Sequence, residues 1–369
     1  MPYKISGTKS ETARIIIFKE SDWSIESNTV ISGSGNYEID SLVSGTKLCL
    51  AHTENGLVEG YGNVSGKYYE PAYANRGVFF GGYGGSDTNV IEYITINTTS
   101  DAVDFGDLAV AHVYGAANSN STNQRGIFAG GPSYANTIQY ITISTPGNAQ
   151  DFGDTTTNFS YRASTDNGTD DRAIWAGGYS ITTVIDYKTI STLGNSSNFG
   201  NLTQARRAPM GTSNATNNRG VFACGRTGGS GTGVLTIDYI TISSTGNATT
   251  FGNATIARYY CNQSACSNGT NNRGVFCGGN KNSGGSTNII DYITISTTGD
   301  AADFGDLLAN DWVVAATDNK VGNRGVIGGG NTGTYTNVIQ YITISTLSNA
   351  IDFGDLTEAK NGCAATSNA

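Results

Sequence analysis

Apolar residues in this chain come in short bursts separated by glycine and polar turns, and the stretch 273–319 shows the pattern clearly. Gly274-Val275-Phe276-Cys277 is an apolar run halted by Gly278-Gly279. After a glycine-rich loop, Asn288-Ile289-Ile290-Asp291-Tyr292-Ile293-Thr294-Ile295 mixes β-branched and aromatic side chains with polar ones, which suits a strand. Thr298-Gly299-Asp300 reads as a turn, Ala302-Asp303-Phe304 as a short third strand, and 312–317 as a fourth strand ending at Asp318-Asn319. Four strands joined by tight turns predict an antiparallel sheet.

The same phrase recurs from Arg76, Arg125, Arg172, Arg219, Arg273 and Arg324. A period of roughly 50 residues, rich in β-branched side chains and glycine turns, marks a stacked or radial architecture. One blade cannot bury both its faces, so the copies must pack on each other around an axis. The expectation is an all-β chain with a six-bladed β-propeller. The double glycines (Gly81-Gly82, Gly130-Gly131, Gly177-Gly178, Gly278-Gly279, Gly329-Gly330), each followed by a strand tyrosine and a later aromatic, resemble the kelch repeat. Two departures make the repeats kelch-like. The fourth copy reads Cys224-Gly225-Arg226. Each strand tyrosine (Tyr93, Tyr140, Tyr187, Tyr239, Tyr292, Tyr341) also precedes its phenylalanine (Phe105, Phe152, Phe199, Phe251, Phe304, Phe353) by one constant interval, longer than the kelch Tyr-to-Trp interval.

If each innermost strand precedes its Arg-Gly strand, copies two to six take theirs from near 113–119, 160–166, 207–213, 259–267 and 312–318. Nothing comparable precedes Arg76, where Glu70-Pro71-Ala72 reads as a linker, whereas 361–369 resembles an inner strand. The C-terminal segment is therefore expected to complete blade one and remove an open sheet edge. Domains are placed at 1–70 and 71–369. The first carries no repeat; its Gly35-Asn36-Tyr37-Glu38-Ile39-Asp40-Ser41-Leu42-Val43-Ser44-Gly45 string alternates apolar and polar residues, flanked by 13–18 and 58–62. That string resembles the transthyretin-like or carboxypeptidase-regulatory-like β-sandwich modules, which implies a spacer or docking element.

Composition narrows the chemistry. The 369 residues include 50 glycines and 14% charged side chains, with a net charge of −9 and no basic stripe, so nucleic acid is not an expected partner. Residues 1–10 lack a signal-peptide pattern and no apolar run reaches membrane-spanning length, so synthesis in the cytosol without membrane insertion is expected. Six cysteines form no CxxC pair and do not all recur at one repeat position, which suits free thiols. Asn-x-Ser/Thr triplets such as those at Asn97, Asn120, Asn214 and Asn268 read as turn composition. Only His52 and His112 exist, against a histidine-rich metal site, and a Ser-His-Asp triad would have His112 alone.

The recurrent acid pairs Asp104/Asp107, Asp151/Asp154, Asp303/Asp306 and Asp352/Asp355 become Asn198/Asn201 and Thr250/Asn253 in blades three and four. Tolerance of Asn and Thr points to turn capping, with calcium coordination as the alternative. The repeated arginines read as structural, pairing with acids of a neighbouring strand. The glycine-rich loops lack a following Lys-Ser/Thr and helix, so no phosphate cradle is expected. No metal or other cofactor is expected.

The copies differ in two places that an up-and-down blade brings to one face. One is the loop before the strand tyrosine, shortest from Arg125 to Tyr140 and from Arg172 to Tyr187 and longest from Arg219 to Tyr239. The other is the connection to the next blade, where His112, Tyr114, Phe159, Tyr161, Arg206, Arg207, Arg258, Tyr259, Tyr260, Asp311, Trp312 and Lys360 stand. Aromatic and arginine side chains are favoured in binding hot spots, so these residues are the candidate partner-binding surface. The opposite face carries monotonous turns.

The wording Val-Ile-Asp-Tyr-Ile-Thr-Ile and Phe-Gly-Asp-Leu over 75–369 resembles kelch-like repeat proteins of tailed phages of marine bacteria. The resemblance implies a non-enzymatic virion protein (tail fibre, spike or capsid-surface component), assembled in the host cytoplasm. Its N-terminal domain would dock on other virion proteins and its propeller on a host surface glycan or protein; a homo-oligomer is compatible with this. The alternative is a polysaccharide hydrolase or lyase, for which Asp311, His112, Tyr260 and the arginines are the available groups.

Overall fold

The computed structural model describes the backbone of residues 3–9, 13–19, 25–31, 35–42 and 46–53. It also describes backbone and side chains of 75–368, except 121–123, 131–135, 159, 168–170, 215–217, 230 and 262 and the side chains of 270 and 321. The chain divides into two compact units, Met1–Ala72 and Tyr73–Ala369. In the first, Tyr3–Lys9 pairs antiparallel with Gly35–Leu42, and Ala13–Lys19 lies between Ile25–Ile31 and Thr46–Thr53. Residues 58–62, and the side chains of Cys49 and His52, lie outside the described residues.

The second unit is a six-bladed β-propeller of antiparallel sheets. Blade three runs from the axis outward through Ala163–Asn167, Arg172–Ala176, Thr182–Thr189 and Ser197–Arg206. Blade one is built from both ends of the unit: Ala364–Ser367 pairs with Arg76–Phe80, followed by Thr88–Thr95 and Val103–His112. The C-terminal strand thus closes the ring and satisfies the N–H and C=O groups that blade one would otherwise leave open. Each inner strand starts a little later than its sequence window, as at Ala315–Asp318 in blade six, because Trp312 and Val313 turn the corner into it.

Packing explains the wording of the repeat. The core consists of six apolar clusters, each shared by two neighbouring blades. The fixed Tyr-to-Phe interval sets an edge-on ring pair in every blade, with centroids 5.9–6.2 Å apart. The glycine of Phe-Gly is required because the next blade's turn lies on it: a Cβ at Gly106 would stand 2.6 Å from the backbone of Gly147, and the φ of Gly106 is 141°.

The repeated arginines form a ring of latches. Arg76 donates to the Ile143 carbonyl in the next blade (2.8 Å), and Arg125, Arg172, Arg219 and Arg273 do the same to Ile190, Ile242, Ile295 and Ile344. Arg324 closes the circle on Ile96 of blade one (2.9 Å). Each guanidinium also sits over its own blade's tyrosine, 4.2–4.8 Å from the ring centroid. Their partners are therefore a carbonyl and a ring, not the acids expected from sequence. The Phe-Gly-Asp acids are corrected likewise: Asp107 and Asp154 contribute backbone N–H groups to Asn148 and Asn195 in the next blade's turn. That role makes the side chain replaceable by Asn.

Candidate functional site

The residues seven positions after each Phe-Gly phenylalanine were candidates for a binding surface, and the structure buries those it describes between blades. Arg206 and Arg258 are paired with Asp238 (2.8 Å) and Asp291 (2.6 Å), and Lys360 with Glu92, all six side chains fully inaccessible. These acids occupy one repeat position, directly before the strand tyrosine, and each also accepts the N–H of a threonine: Thr203, Thr255 or Thr357. Blades two and six carry Gln139 and Gln340 there instead. Each glutamine still accepts the equivalent N–H, from Ala109 (2.7 Å) and Leu308 (2.8 Å), and the basic residue is replaced by His112 or Asp311. Three positions thus change together, so that an acid at the position before the strand tyrosine is never buried without its cation.

His112 is 1% exposed and meets the edge of Phe128 at 4.4 Å; burial pushes its imidazole down to about 4. Asp311 is 2% exposed, and its Oδ1 accepts the N–H groups of Trp312 (2.7 Å) and Asn331 (2.6 Å). Burial nonetheless pushes its carboxyl up to about 7. It serves as a loop tie, not as an acid open to substrate.

The seam between blades two and three is the exception. Phe159 stands at the seventh position and lies outside the described residues, and Asp186 is paired instead with Arg162, slightly further along the chain (2.5 Å). Sequence reasoning missed Arg162, although an acid at position 186 with no base at the seventh position was the signal for it.

Two positions after each of these residues the chain turns through the left-handed region. Tyr114, Tyr161, Ala208, Tyr260, Val313 and Gly362 have φ of 53–66°. Their backbones join head to tail around the axis: Ala208 N–H donates to Tyr161, Tyr161 to Tyr114, Tyr114 to Gly362, Gly362 to Val313 and Val313 to Tyr260, over 2.8–3.2 Å. Beneath this collar Gln263 crosses the channel. Its Nε2 donates to the Ala117 carbonyl (3.1 Å) and to Ser164 Oγ, and its Oε1 accepts the Ala365 N–H (3.1 Å), tying blade five to blades two, three and one. Gln263 lies between Phe251 and Arg273, the one Phe-to-Arg interval longer than the rest, and that insertion was its sequence signal. At the far end of the channel Lys320 pairs with Asp318 (3.3 Å), and the two opposed acids Asp318 and Asp166 hold its ammonium charged against burial.

Above the collar the remaining candidates converge. Tyr114 and Tyr161 stack at 4.1 Å, and Tyr260 lies 6.3 Å from Tyr161, 5.2 Å from Tyr259 and 5.4 Å from Trp312. Arg207 sits over Tyr161 (3.8 Å) and Tyr179 (4.2 Å), and Arg226 lies over Tyr260 (4.5 Å) and donates to its hydroxyl. Tyr161, Arg207 and Tyr259 are buried inside this cluster; Tyr114, Arg226, Tyr260 and Trp312 are half-buried and Tyr179 is exposed. Tyr179 and Arg226 were not among the sequence candidates because they belong to loops of unequal length. The result is a Tyr–Arg–Trp surface drawn from blades two to six, able to stack on flat or ring-shaped groups and to donate hydrogen bonds.

Among the described residues no three His, Cys, Asp or Glu side chains gather as a metal site, and no helix is long and apolar enough to cross a membrane. Cys224, Cys261, Cys266, Cys277 and Cys363 are free and buried; burial holds the Cys363 thiol up at about 12. No family model matches the chain, and no curated protein matches it.

Proposed function

We propose that this protein is a non-catalytic binding disc, and that the Tyr–Arg–Trp surface around Tyr260 is where it meets its partner. The observation that carries this reading is the contrast between the two faces. The turns of one face are near copies, whereas the loops of the other differ from blade to blade and gather Tyr114, Tyr179, Arg226, Tyr260 and Trp312 above the collar. Side chains of this kind on a rigid frame are favoured at recognition surfaces.

The kelch-like wording of the repeats, and its resemblance to repeat proteins of tailed marine phages, suggests a virion component: tail fibre, spike or capsid surface. In this reading the N-terminal unit is a β-sandwich module that docks on another virion protein, and the disc engages a host surface glycan or protein. Labelled antibody on purified particles tests the location, and absence from particles contradicts it. The alternative of a polysaccharide-cleaving enzyme would rest on Asp311, whose carboxylate is buried and holds two backbone N–H groups. Oligosaccharide released from host polysaccharide, and lost in Asp311→Ala, would favour that alternative.

A further inference from the structure

The seam between blades two and three also holds a cleft. The outer strand of blade two stops at Asp154, and the chain leaves through Thr155, whose N–H and Oγ1 both bond to the Asn136 carbonyl. Arg162 reaches Asp186 from further along the chain than its counterparts in other blades, and its Nη2 donates to Thr157 Oγ1 (2.6 Å). Opposite, the loop of blade three, between Arg172 and Tyr187, is among the shortest and turns back at once through Ile181 (φ 55°). A displaced chain on one side and a short loop on the other leave a volume of ≈ 300 Å³.

That volume lies at the lower end of small-ligand sites, about 300–1,000 Å³, which suits one ring rather than an extended chain. Its lining has the mixed character a sugar requires. Tyr179 offers an aromatic ring backed by Arg207 at 4.2 Å, yet remains 43% exposed and lines the cleft. Thr157, Asn158, Ser180 and Thr182 add hydroxyls and an amide, with Arg162 as a buried floor. The charge of Arg162 is already matched by Asp186, so a neutral polyol fits this cleft better than an anion. A pyranose presents one C–H face to an aromatic ring and a rim of hydroxyls to polar neighbours.

We propose that this cleft binds a single neutral hexopyranose unit of a surface polysaccharide, stacked on Tyr179 with its hydroxyls bonded to Asn158, Ser180 and Thr182. The inference rests on the reading of the disc as a glycan-binding surface and adds a subsite and a ligand class to it.

Saturation-transfer NMR of the full chain with methyl glycosides of glucose, mannose, galactose and N-acetylglucosamine tests it. Wild type should show transfer to at least one glycoside. Tyr179→Ala and Asn158→Ala should weaken binding tenfold or more, while Tyr179→Phe keeps it, as does Tyr335→Ala, which removes an exposed ring that packs on Tyr83 away from the cleft. No transfer with wild type, or equal transfer with Tyr179→Ala, overturns the site. Retention on immobilised bacterial polysaccharide separates the two claims. Equal retention of wild type and Tyr179→Ala overturns the cleft and leaves the disc a binding protein. Glycoside binding lost in Tyr179→Ala, without retention on any polysaccharide, supports the cleft as a sugar site and overturns the reading of the disc as a polysaccharide binder.

Discussion

At Asp311 a carboxylate stands where three other seams carry Arg206, Arg258 and Lys360, and its protonation is tied to the fold. Burial raises its carboxyl to about 7 from an ordinary 3.8, so the native state binds more protons than the unfolded chain between those values. Its contribution to stability is full below pH 4 and is lost as pH rises through 7. His112 acts in the opposite sense: its imidazole is held at about 4, so its contribution is full above 6.5 and is lost on acidification. Asp311→Asn keeps the Oδ1 that accepts both N–H groups and removes only the titration. It should raise stability at pH 8 by on the order of 2 kcal/mol and uncover the steeper acid slope of His112 in melting curves from pH 4 to 8. Glycine at the collar is a second residue-scale case. A Cβ at Gly362 would meet Val113 at 2.7 Å and Tyr114 at 2.8 Å with φ at 66°, so Gly362→Ala should destabilise by about 1–3 kcal/mol. Ala208→Gly, in the equivalent turn before the inner strand of blade four, should be neutral or stabilise by up to about 1 kcal/mol in denaturant unfolding.

Between blades, the unit of design is a three-position set of threonine, acid and base, exchanged as a whole for alanine or leucine, glutamine, and histidine or aspartate. Arg206→Ala strands the fully buried Asp238 and should cost about 3–5 kcal/mol. Installing the blade-two set in blade four (Thr203→Ala, Asp238→Gln, Arg206→His) should recover most of that loss. Phe222 occupies the place that Phe128 holds beside His112, and Gln139 shows how glutamine accepts the N–H. Recovery no better than Arg206→Ala alone would show that the three positions do not act as a set. The same set explains what could be read in advance. Strand order and ring closure follow from the repeated phrase, since hydrophobic period and turn chemistry act locally. The fate of Arg206, Arg258 and Lys360 does not, because a variable basic residue at a blade junction looks alike whether it faces solvent or a buried acid. The partner acid was visible one position before each tyrosine, and only the pairing across blades assigns it.

For the molecule as a whole, the ring of arginine latches, the five-bond backbone collar and the closing strand Ala364–Ser367 hold the propeller, with Gln263 bridging the channel. Deleting residues 360–369 opens blade one and leaves Glu92 without Lys360, so the propeller should melt early and aggregate. An unchanged melting temperature would refute closure by that strand. Gln263→Ala leaves the Ala365 N–H and the Ala117 carbonyl without this partner in a buried channel and should cost about 1–3 kcal/mol. None of these changes touches the exposed part of the loop face, and this division between frame and face is the central claim. Its most direct measurement is retention of the full chain on immobilised surface polysaccharide from marine bacteria, comparing wild type with Tyr260→Ala/Trp312→Ala and with Arg273→Gln. The account predicts that the double variant loses retention at an unchanged melting temperature, whereas Arg273→Gln melts earlier but is retained as wild type while folded. Full retention by the folded double variant, or loss of retention by folded Arg273→Gln, would contradict it.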